Sequence, residues 1–157
     1  MLKKTTQMNI SNIFSHDYFM RQAIKEAQAA FDKNEVPIGA VIVFDNKIIA
    51  RAHNLVETLN DPTAHAEMQA ITSATNTIGG KYLNDCILYV TVEPCPMCAA
   101  ACFWAQTGTL VYGASDEKRG FTVISEKLLH PKTLIVKDVL KNEAAELMIE
   151  FFKRKRK

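Results

Sequence analysis

The sequence predicts an α/β fold, in which helices cover both faces of a mixed five-stranded sheet to give a three-layer α/β/α domain. Segments with apolar residues at helical spacing alternate with short runs rich in Val, Ile and Tyr. No repeat or low-complexity linker divides the chain, so we expect one domain over residues 1–157, with 1–14 as a flexible N-terminal extension. The composition, 48% hydrophobic and 23% charged, is that of an ordinary soluble domain with an adequate core.

The first half of the chain predicts a helix, a β-hairpin and a second helix. Apolar residues recur at helical spacing from Met20 to Phe31. The pair Asp45-Asn46 indicates a tight turn between two strands. The predicted ranges are 17–33 for the first helix, 39–45 and 47–51 for the strands, 54–64 for a loop, and residue 65 onward for the second helix.

The second half predicts a strand–helix unit, two further strands and a terminal helix. About eighteen residues separate the last two strands, which is enough for a short crossover helix, so we expect these strands to be parallel. The predicted ranges are 86–92, 109–114 and 133–137 for the strands, and 95 to about 106 and 142–155 for the helices. One side of the last helix is predicted to face the core, through Ala144, Leu147, Met148, Phe151 and Phe152.

Two short motifs together predict a zinc site. His65-Ala66-Glu67 is followed, thirty residues after the histidine, by Cys95-Pro96-Met97-Cys98. Cysteines at i and i+3 share one helical face, and the positive end of a helix favours their thiolate form. Pro96 suits the first helical position, where its missing N–H has no partner to lose. Three converging ligands are typical of a catalytic zinc ion, whose fourth position is left to water.

Glu67 is predicted to be the proton carrier beside this metal. Residues two apart on a helix do not share a face, so His65 can bind the metal while Glu67 points to what the metal activates. Alternatives are a structural site, or a redox pair formed by the two cysteines alone. The redox alternative would not need His65 or Glu67. The combined H-x-E and P-C-x-x-C pattern is typical of zinc-dependent nucleobase deaminases.

The two remaining cysteines are predicted to be structural. Cys102 lies one turn beyond Cys98, but in an apolar helix, which favours a buried thiol over a fourth ligand. Cys86 opens a strand and has no ligand partner nearby in the sequence.

Positive charge is concentrated at the C-terminus. The net charge is only +2, yet the last five residues are all basic: Lys153, Arg154, Lys155, Arg156 and Lys157. Such a cluster is either a solvated helix end that complements the helix dipole or a contact for phosphate groups. No transmembrane span is evident, and no apolar run follows the basic start of the chain as a secretory signal would require. Thiolate ligands favour a reducing compartment, so we expect a cytoplasmic protein without membrane contact.

The chain resembles the bacterial tRNA-specific adenosine deaminases of the cytidine deaminase-like superfamily over nearly its whole length. The zinc motif marks the superfamily, whereas the Glu-Val-Pro segment and the basic tail indicate the tRNA branch. The matching segments are Glu35-Val36-Pro37-Ile38-Gly39-Ala40-Val41, Asn54, Asp61-Pro62-Thr63-Ala64-His65-Ala66-Glu67, Thr91-Val92-Glu93-Pro94-Cys95-Pro96-Met97-Cys98, Gly113-Ala114-Ser115-Asp116-Glu117-Lys118 and Phe151-Phe152.

This resemblance implies one zinc ion per subunit, bound by His65, Cys95 and Cys98, and a homodimer that receives a tRNA anticodon loop. It also implies that Asn54 and the backbone of Ala66 contact the flipped-out adenine, although Asn54 is alternatively a turn asparagine after a strand. The implied reaction converts the wobble adenosine to inosine: zinc hydroxide attacks C6, Glu67 shuttles protons and ammonia leaves. Single-stranded loops suit it, because their bases are splayed without opening a duplex.

Two segments depart from the family pattern and leave other functions open. The segment Arg119-Gly120-Phe121-Thr122-Val123-Ile124 replaces a stretch of small residues. Phe103-Trp104-Ala105 is similar to the bacterial guanine deaminases, which act on a free base, although helix burial or a subunit interface is the simpler interpretation. A non-catalytic RNA-binding module that uses zinc only to fold is a third hypothesis. Glu67 argues against it, because a structural site needs no carboxylate beside the metal.

Overall fold

The computed structural model describes residues 15–156. The predicted N-terminal extension, residues 1–14, and Lys157 lie outside this range. The helices are α1 (His16–Asp32), α2 (Val56–Leu59), α3 (Ala66–Ile78), α4 (Pro96–Ala105) and α5 (Lys141–Lys155). The strands are β1 (Gly39–Phe44), β2 (Lys47–His53), β3 (Cys86–Val92), β4 (Thr109–Ala114) and β5 (Leu134–Val136).

The five strands form one mixed sheet, as predicted, and their order is β2-β1-β3-β4-β5. Strand β1 is antiparallel to both β2 and β3, whereas β3, β4 and β5 are parallel. Asp45 and Asn46 both have positive φ, 50° and 59°, which matches the right-handed twist of a two-residue hairpin turn. Because β1 and β3 are antiparallel, the start of β1 and the end of β2 lie at the same edge of the sheet as the carboxyl end of β3.

Helices cover both faces of the sheet, which confirms the three-layer prediction. Helices α1 and α5 pack on one face, and α3 and α4 pack on the other. Alternate residues of β1 serve the two cores: Ala40 and Ile42 face the α3–α4 side, and Val41 and Val43 face α1. A Cβ at Gly39 would lie 2.1 Å from the carbonyl oxygen of Ala23, so only glycine lets β1 start this close to the α1 backbone.

The structure differs from the sequence prediction in three places. The short helix α2 lies within the segment predicted as loop. The connection between β4 and β5 contains two 3-10 turns, Phe121–Val123 and Glu126–Leu128, and no α-helix. Helix α5 turns only Ala144 and Phe151 fully into the core, since Leu147 and Met148 are half-buried and Phe152 is 41% exposed. None of the described helices combines the length and apolarity needed to cross a bilayer.

Candidate metal centre

Two helix N-termini converge on the predicted ligands. His65 is the N-cap residue of α3, and Cys95 is the N-cap residue of α4, directly after strand β3. Pro96 occupies the first turn of α4, as predicted, and Cys98 lies within that turn. The sheet edge and the two helix starts therefore bring His65 together with two cysteines that lie 30 and 33 residues further along the chain.

The donor atoms are spaced for one metal ion. His65 Nδ1 lies 3.6 Å from Cys95 Sγ and 3.5 Å from Cys98 Sγ, and all three donor atoms lie within 4.8 Å of one another. Bonds of about 2.0 Å to nitrogen and 2.3 Å to sulfur in a tetrahedral arrangement would separate these atoms by about 3.6 Å. Within residues 15–156 the ligand group contains these three residues and excludes Cys102. The side chains thus fit a three-ligand site.

Electrostatics prepare Cys95 as the first ligand. A hydrogen bond from the Cys98 thiol, together with contact to the His65 ring, lowers the pKa of Cys95 to about 4 despite its burial. The same hydrogen bond and the burial of Cys98 raise the pKa of Cys98. The pKa of His65 is raised, chiefly by its hydrogen bond to Cys95. The cluster therefore already holds a thiolate before its second cysteine is deprotonated.

Glu67 lies beside this group but is not part of it. Its side chain is 3% exposed, and its Oε1 is buried without a hydrogen-bond partner within the described chain. Removal from water raises its pKa. A buried carboxyl oxygen without a hydrogen-bond partner destabilises a fold, so its presence beside three ligand atoms favours a role for Glu67 in proton transfer.

The two predicted substrate contacts flank the metal group. Asn54 is 6% exposed; its Nδ2 donates to the Val36 carbonyl and its Oδ1 accepts from the Val56 N–H, both at 3.3 Å. This is the turn-asparagine bonding considered as the alternative, yet Nδ2 carries a second N–H. Ala66 opens α3, where a backbone N–H has no acceptor within the helix. Contact of either residue with a base stays a prediction.

A buried carboxylate that sequence reasoning missed, Glu35, holds the segment after Asn54. Glu35 is fully buried and accepts three hydrogen bonds: from the Glu57 N–H at 2.9 Å, the Thr58 N–H at 2.7 Å and the Thr58 hydroxyl at 2.6 Å. Burial raises its pKa, but these hydrogen bonds outweigh burial, so the pKa lies below its usual value. Glu35 thereby caps α2, whose own N-cap side chain makes no such bond. An acid inside the otherwise apolar Glu-Val-Pro-Ile stretch was the available signal.

A second overlooked carboxylate, Glu93, holds the divergent segment against the cysteine loop. It accepts the Thr122 N–H at 3.1 Å, the Thr122 hydroxyl at 2.9 Å and the Asp116 N–H at 3.4 Å. A Cβ at Gly120 would lie 1.8 Å from Glu93 Oε2, so glycine is needed there. Phe121 is fully buried, whereas Val123 and Ile124 are exposed. The divergent segment therefore contributes both a core anchor and an apolar surface near the ligands.

The basic tail and the aromatic pair lie on the outside. Lys153 to Arg156 are exposed; the Arg154 guanidinium lies 4.7 Å from the centre of the Phe31 ring, and Lys155 Nζ lies 5.5 Å from that of Phe151. Phe103 is half-buried, but Trp104 is 76% exposed, so of the two alternatives offered for this pair, burial in the helix packing does not apply to Trp104 within the described chain. A subunit interface at this residue stays a prediction.

Comparisons with known proteins agree with this geometry. A family model of MafB19-like deaminases matches residues 14–156. A tRNA-specific adenosine deaminase from Aquifex aeolicus is 45% identical over 145 residues, covering 89% of this chain and 95% of the relative. A solved structure from work on A-to-I editing by tRNA:A34 deaminases has a TM-score of 0.78 at 40% identity, covering 83% of this chain and 98% of that one. A guanine deaminase from Bacillus subtilis has a TM-score of 0.62 at 45% identity, covering 64% of this chain and 65% of that one. The chain belongs to the tRNA-specific adenosine deaminase family.

Proposed function

We propose that this protein hydrolyses adenosine to inosine at the wobble position of a tRNA anticodon loop, in the cytoplasm, with one zinc ion per subunit. The observation that carries the proposal is the convergence of His65, Cys95 and Cys98 beside Glu67, whose buried Oε1 has no hydrogen-bond partner among the described residues. Relatives named as tRNA-specific adenosine deaminases, similar to nearly the whole chain, support the choice of substrate.

In this mechanism the three ligands hold the metal and Glu67 moves the protons. A zinc ion held by these three residues would supply the activated water for hydrolysis at C6 of the adenine, because zinc lowers the pKa of bound water to about 7. Glu67 takes one proton from the attacking water and delivers it to the ring nitrogen, then passes the remaining proton of that water to the amino group, which leaves as ammonia. Water and adenosine are consumed, and inosine and ammonia are released. Burial of Glu67 suits this role, because a raised pKa lets a carboxyl group both accept and return a proton.

The substrate is held by groups on both sides of the ligands. The free N–H of Asn54 and the N–H of Ala66 are donors for a base turned out of a single-stranded loop. The exposed basic residues at 153–156, with Lys157, contact phosphate groups of the tRNA. The exposed Trp104 and the apolar surface around it form the contact between two copies in a homodimer.

A free purine is the second candidate substrate. The observation that favours it is the similarity to a Bacillus subtilis guanine deaminase, which is 45% identical across 64% of this chain. The zinc chemistry would be the same, because a hydrolytic attack on an amino-substituted ring carbon is common to both reactions. The basic tail would then have no part in substrate binding.

The test is inosine formation at the wobble adenosine of an unmodified arginine tRNA transcript. Zinc-loaded protein is compared with Glu67→Ala, and both are also assayed on guanine. Inosine from the unsubstituted protein alone supports both the reaction and the partner. Absence of inosine in a sample that retains zinc, with ammonia released from guanine, would replace the tRNA by the free base.

A further inference from the structure

The side-chain amide of Gln69 joins two backbone segments of the site. Gln69 lies on α3, one turn after His65, and is half-buried. Its Nε2 lies 2.8 Å from the carbonyl oxygen of His53 and 3.1 Å from that of Ala64. A third carbonyl oxygen, that of His65, lies 3.5 Å from the same nitrogen. A primary amide has two N–H donors, which serve the two nearer acceptors. Because every neighbour of Nε2 named here is a carbonyl oxygen, the amide nitrogen and not the amide oxygen must face them.

The two acceptors belong to different segments of the site. His53 ends β2 and immediately precedes Asn54, whereas Ala64 immediately precedes His65. One backbone bond also joins these two segments, from the Leu55 N–H to the Ala64 carbonyl at 3.0 Å, while the Asn54 N–H donates to the Ile38 carbonyl at 3.1 Å. Gln69 therefore adds a side-chain link, through His53, between the segment that carries the substrate amide and the segment that carries the metal ligand.

His53 is restrained on its other side as well. Its Nδ1 lies 2.8 Å from the Glu26 carboxylate, and its Nε2 lies 3.0 Å from Lys33 Nζ. These contacts fix the His53 ring against α1, while Gln69 holds the His53 carbonyl against α3. The end of β2 is thus held between α1 and α3. Gln69 makes the contact on the α3 side, which is the side that carries His65.

We propose that Gln69 is a positioning residue, which sets the separation between Asn54 and the His65–Glu67 turn through its two hydrogen bonds to His53 and Ala64. The proposal rests on the function proposed above, because it assumes that Asn54 binds the base. Gln69 touches neither substrate nor metal; it acts through the segments it joins. A displacement of about 1 Å between a bound group and the attacking group is enough to slow a reaction severely.

The experiment replaces the amide without changing the volume of the side chain. Gln69→Met removes both donors, and Gln28→Met makes the same change at an exposed amide on α1, whose Nε2 donates to the Asp32 carboxylate at 3.0 Å. We expect backbone hydrogen exchange at Asn54 and Leu55 to quicken by about tenfold in Gln69→Met alone, with zinc retained at one ion per chain. We expect kcat/KM for inosine formation to fall by about tenfold. Unchanged exchange at these two residues, or loss of the zinc, overturns the proposal.

A double substitution tests whether Gln69 acts through Asn54. If it does, Gln69→Met lowers kcat/KM by less than about twofold once Asn54 is already alanine. Effects that multiply in the double variant overturn the positioning role. Hydrogen exchange needs no substrate, so its result judges Gln69 independently of the reaction. Should the protein act on guanine and not on tRNA, the same cycle is measured with guanine, and the failure of the tRNA assignment leaves the test of Gln69 intact.

Discussion

Replacement of Glu35 by glutamine is expected to destabilise the protein strongly, because this buried carboxylate holds the start of α2. Glu35→Gln keeps the volume but turns an NH2 group toward either the Glu57 N–H or the two Thr58 donors. Each hydrogen bond to a charged group contributes about 1.5–3 kcal/mol, and a buried donor left unpaired costs about 1–3 kcal/mol. With one oxygen still able to accept, we expect a loss of about 2–4 kcal/mol in the free energy of unfolding.

Urea denaturation at pH 7 measures this loss as a lower midpoint with an unchanged slope. The matched control is Glu57→Gln, the same change at an exposed carboxylate whose backbone N–H still reaches Glu35; it should alter stability by less than about 0.5 kcal/mol. Because α2 follows Asn54 directly, Glu35→Gln should also lower kcat/KM, whereas the control should not.

The stability difference between the unsubstituted protein and Glu35→Gln should also depend on pH in one direction. The pKa of Glu35 is lower in the folded protein than its usual value of 4.5. A lowered pKa stabilises the fold fully above about pH 4.5, and this stabilisation is lost as the pH falls through the folded pKa. The difference between the unsubstituted protein and Glu35→Gln should therefore be constant near neutrality and shrink below pH 4.5. A difference under about 0.5 kcal/mol at pH 7, or one that grows in acid, would refute the reasoning.

Three further perturbations have defined outcomes. Gly120→Ala should lower the free energy of unfolding by about 1–3 kcal/mol, measured by urea denaturation, because the added Cβ would meet the Glu93 carboxylate. The control, Gly80→Ala, should cost little, since the nearest atom to its added Cβ is 3.9 Å away. Equal costs for the two variants would contradict the steric argument. Removal of zinc by a chelator should abolish inosine formation, with recovery on addition of Zn²⁺ but not Mg²⁺, since thiolates do not suit Mg²⁺; activity that survives complete removal would sink the metal assignment. Deletion of residues 153–157 should raise KM for tRNA and flatten its dependence on salt, yet leave any guanine turnover unchanged; identical tRNA kinetics would exclude phosphate contact by the tail.

The regular elements and the ligand group could be predicted from the sequence because both depend on local spacing. Strand β3 begins and ends where its apolar run does, and the cysteines lie on one helical turn as their spacing requires. The convergence of His65 with Cys95 and Cys98 followed from the chemistry of three soft ligands beside a carboxylate. Periodicity and ligand type were sufficient for these features.

The polar supports of the site could not be predicted in this way. Glu35, Gln69 and Glu93 act on backbone groups that are 22, 16 and 29 residues away in sequence, and no periodic pattern marks such partners.

The exposure of two apolar helix residues could not be predicted for a related reason. Trp104 and Phe152 follow the apolar pattern of their helices, yet Trp104 is 76% exposed and Phe152 is 41% exposed. Which apolar residue is left outside depends on the angle of the helix, which is a property of the tertiary structure.

The exposure of Trp104 makes this protein's fluorescence an indicator of association and not of folding. Trp104 is the single tryptophan of the chain, and its 76% exposed indole already meets water in the folded subunit. Unfolding of an isolated subunit will therefore shift its emission little, and circular dichroism must follow that transition instead. A second copy, or an RNA, that covers this helix would move the emission to shorter wavelength. If the predicted subunit interface includes Trp104, dilution of the native protein would shift the emission to longer wavelength as the subunits separate, without any label.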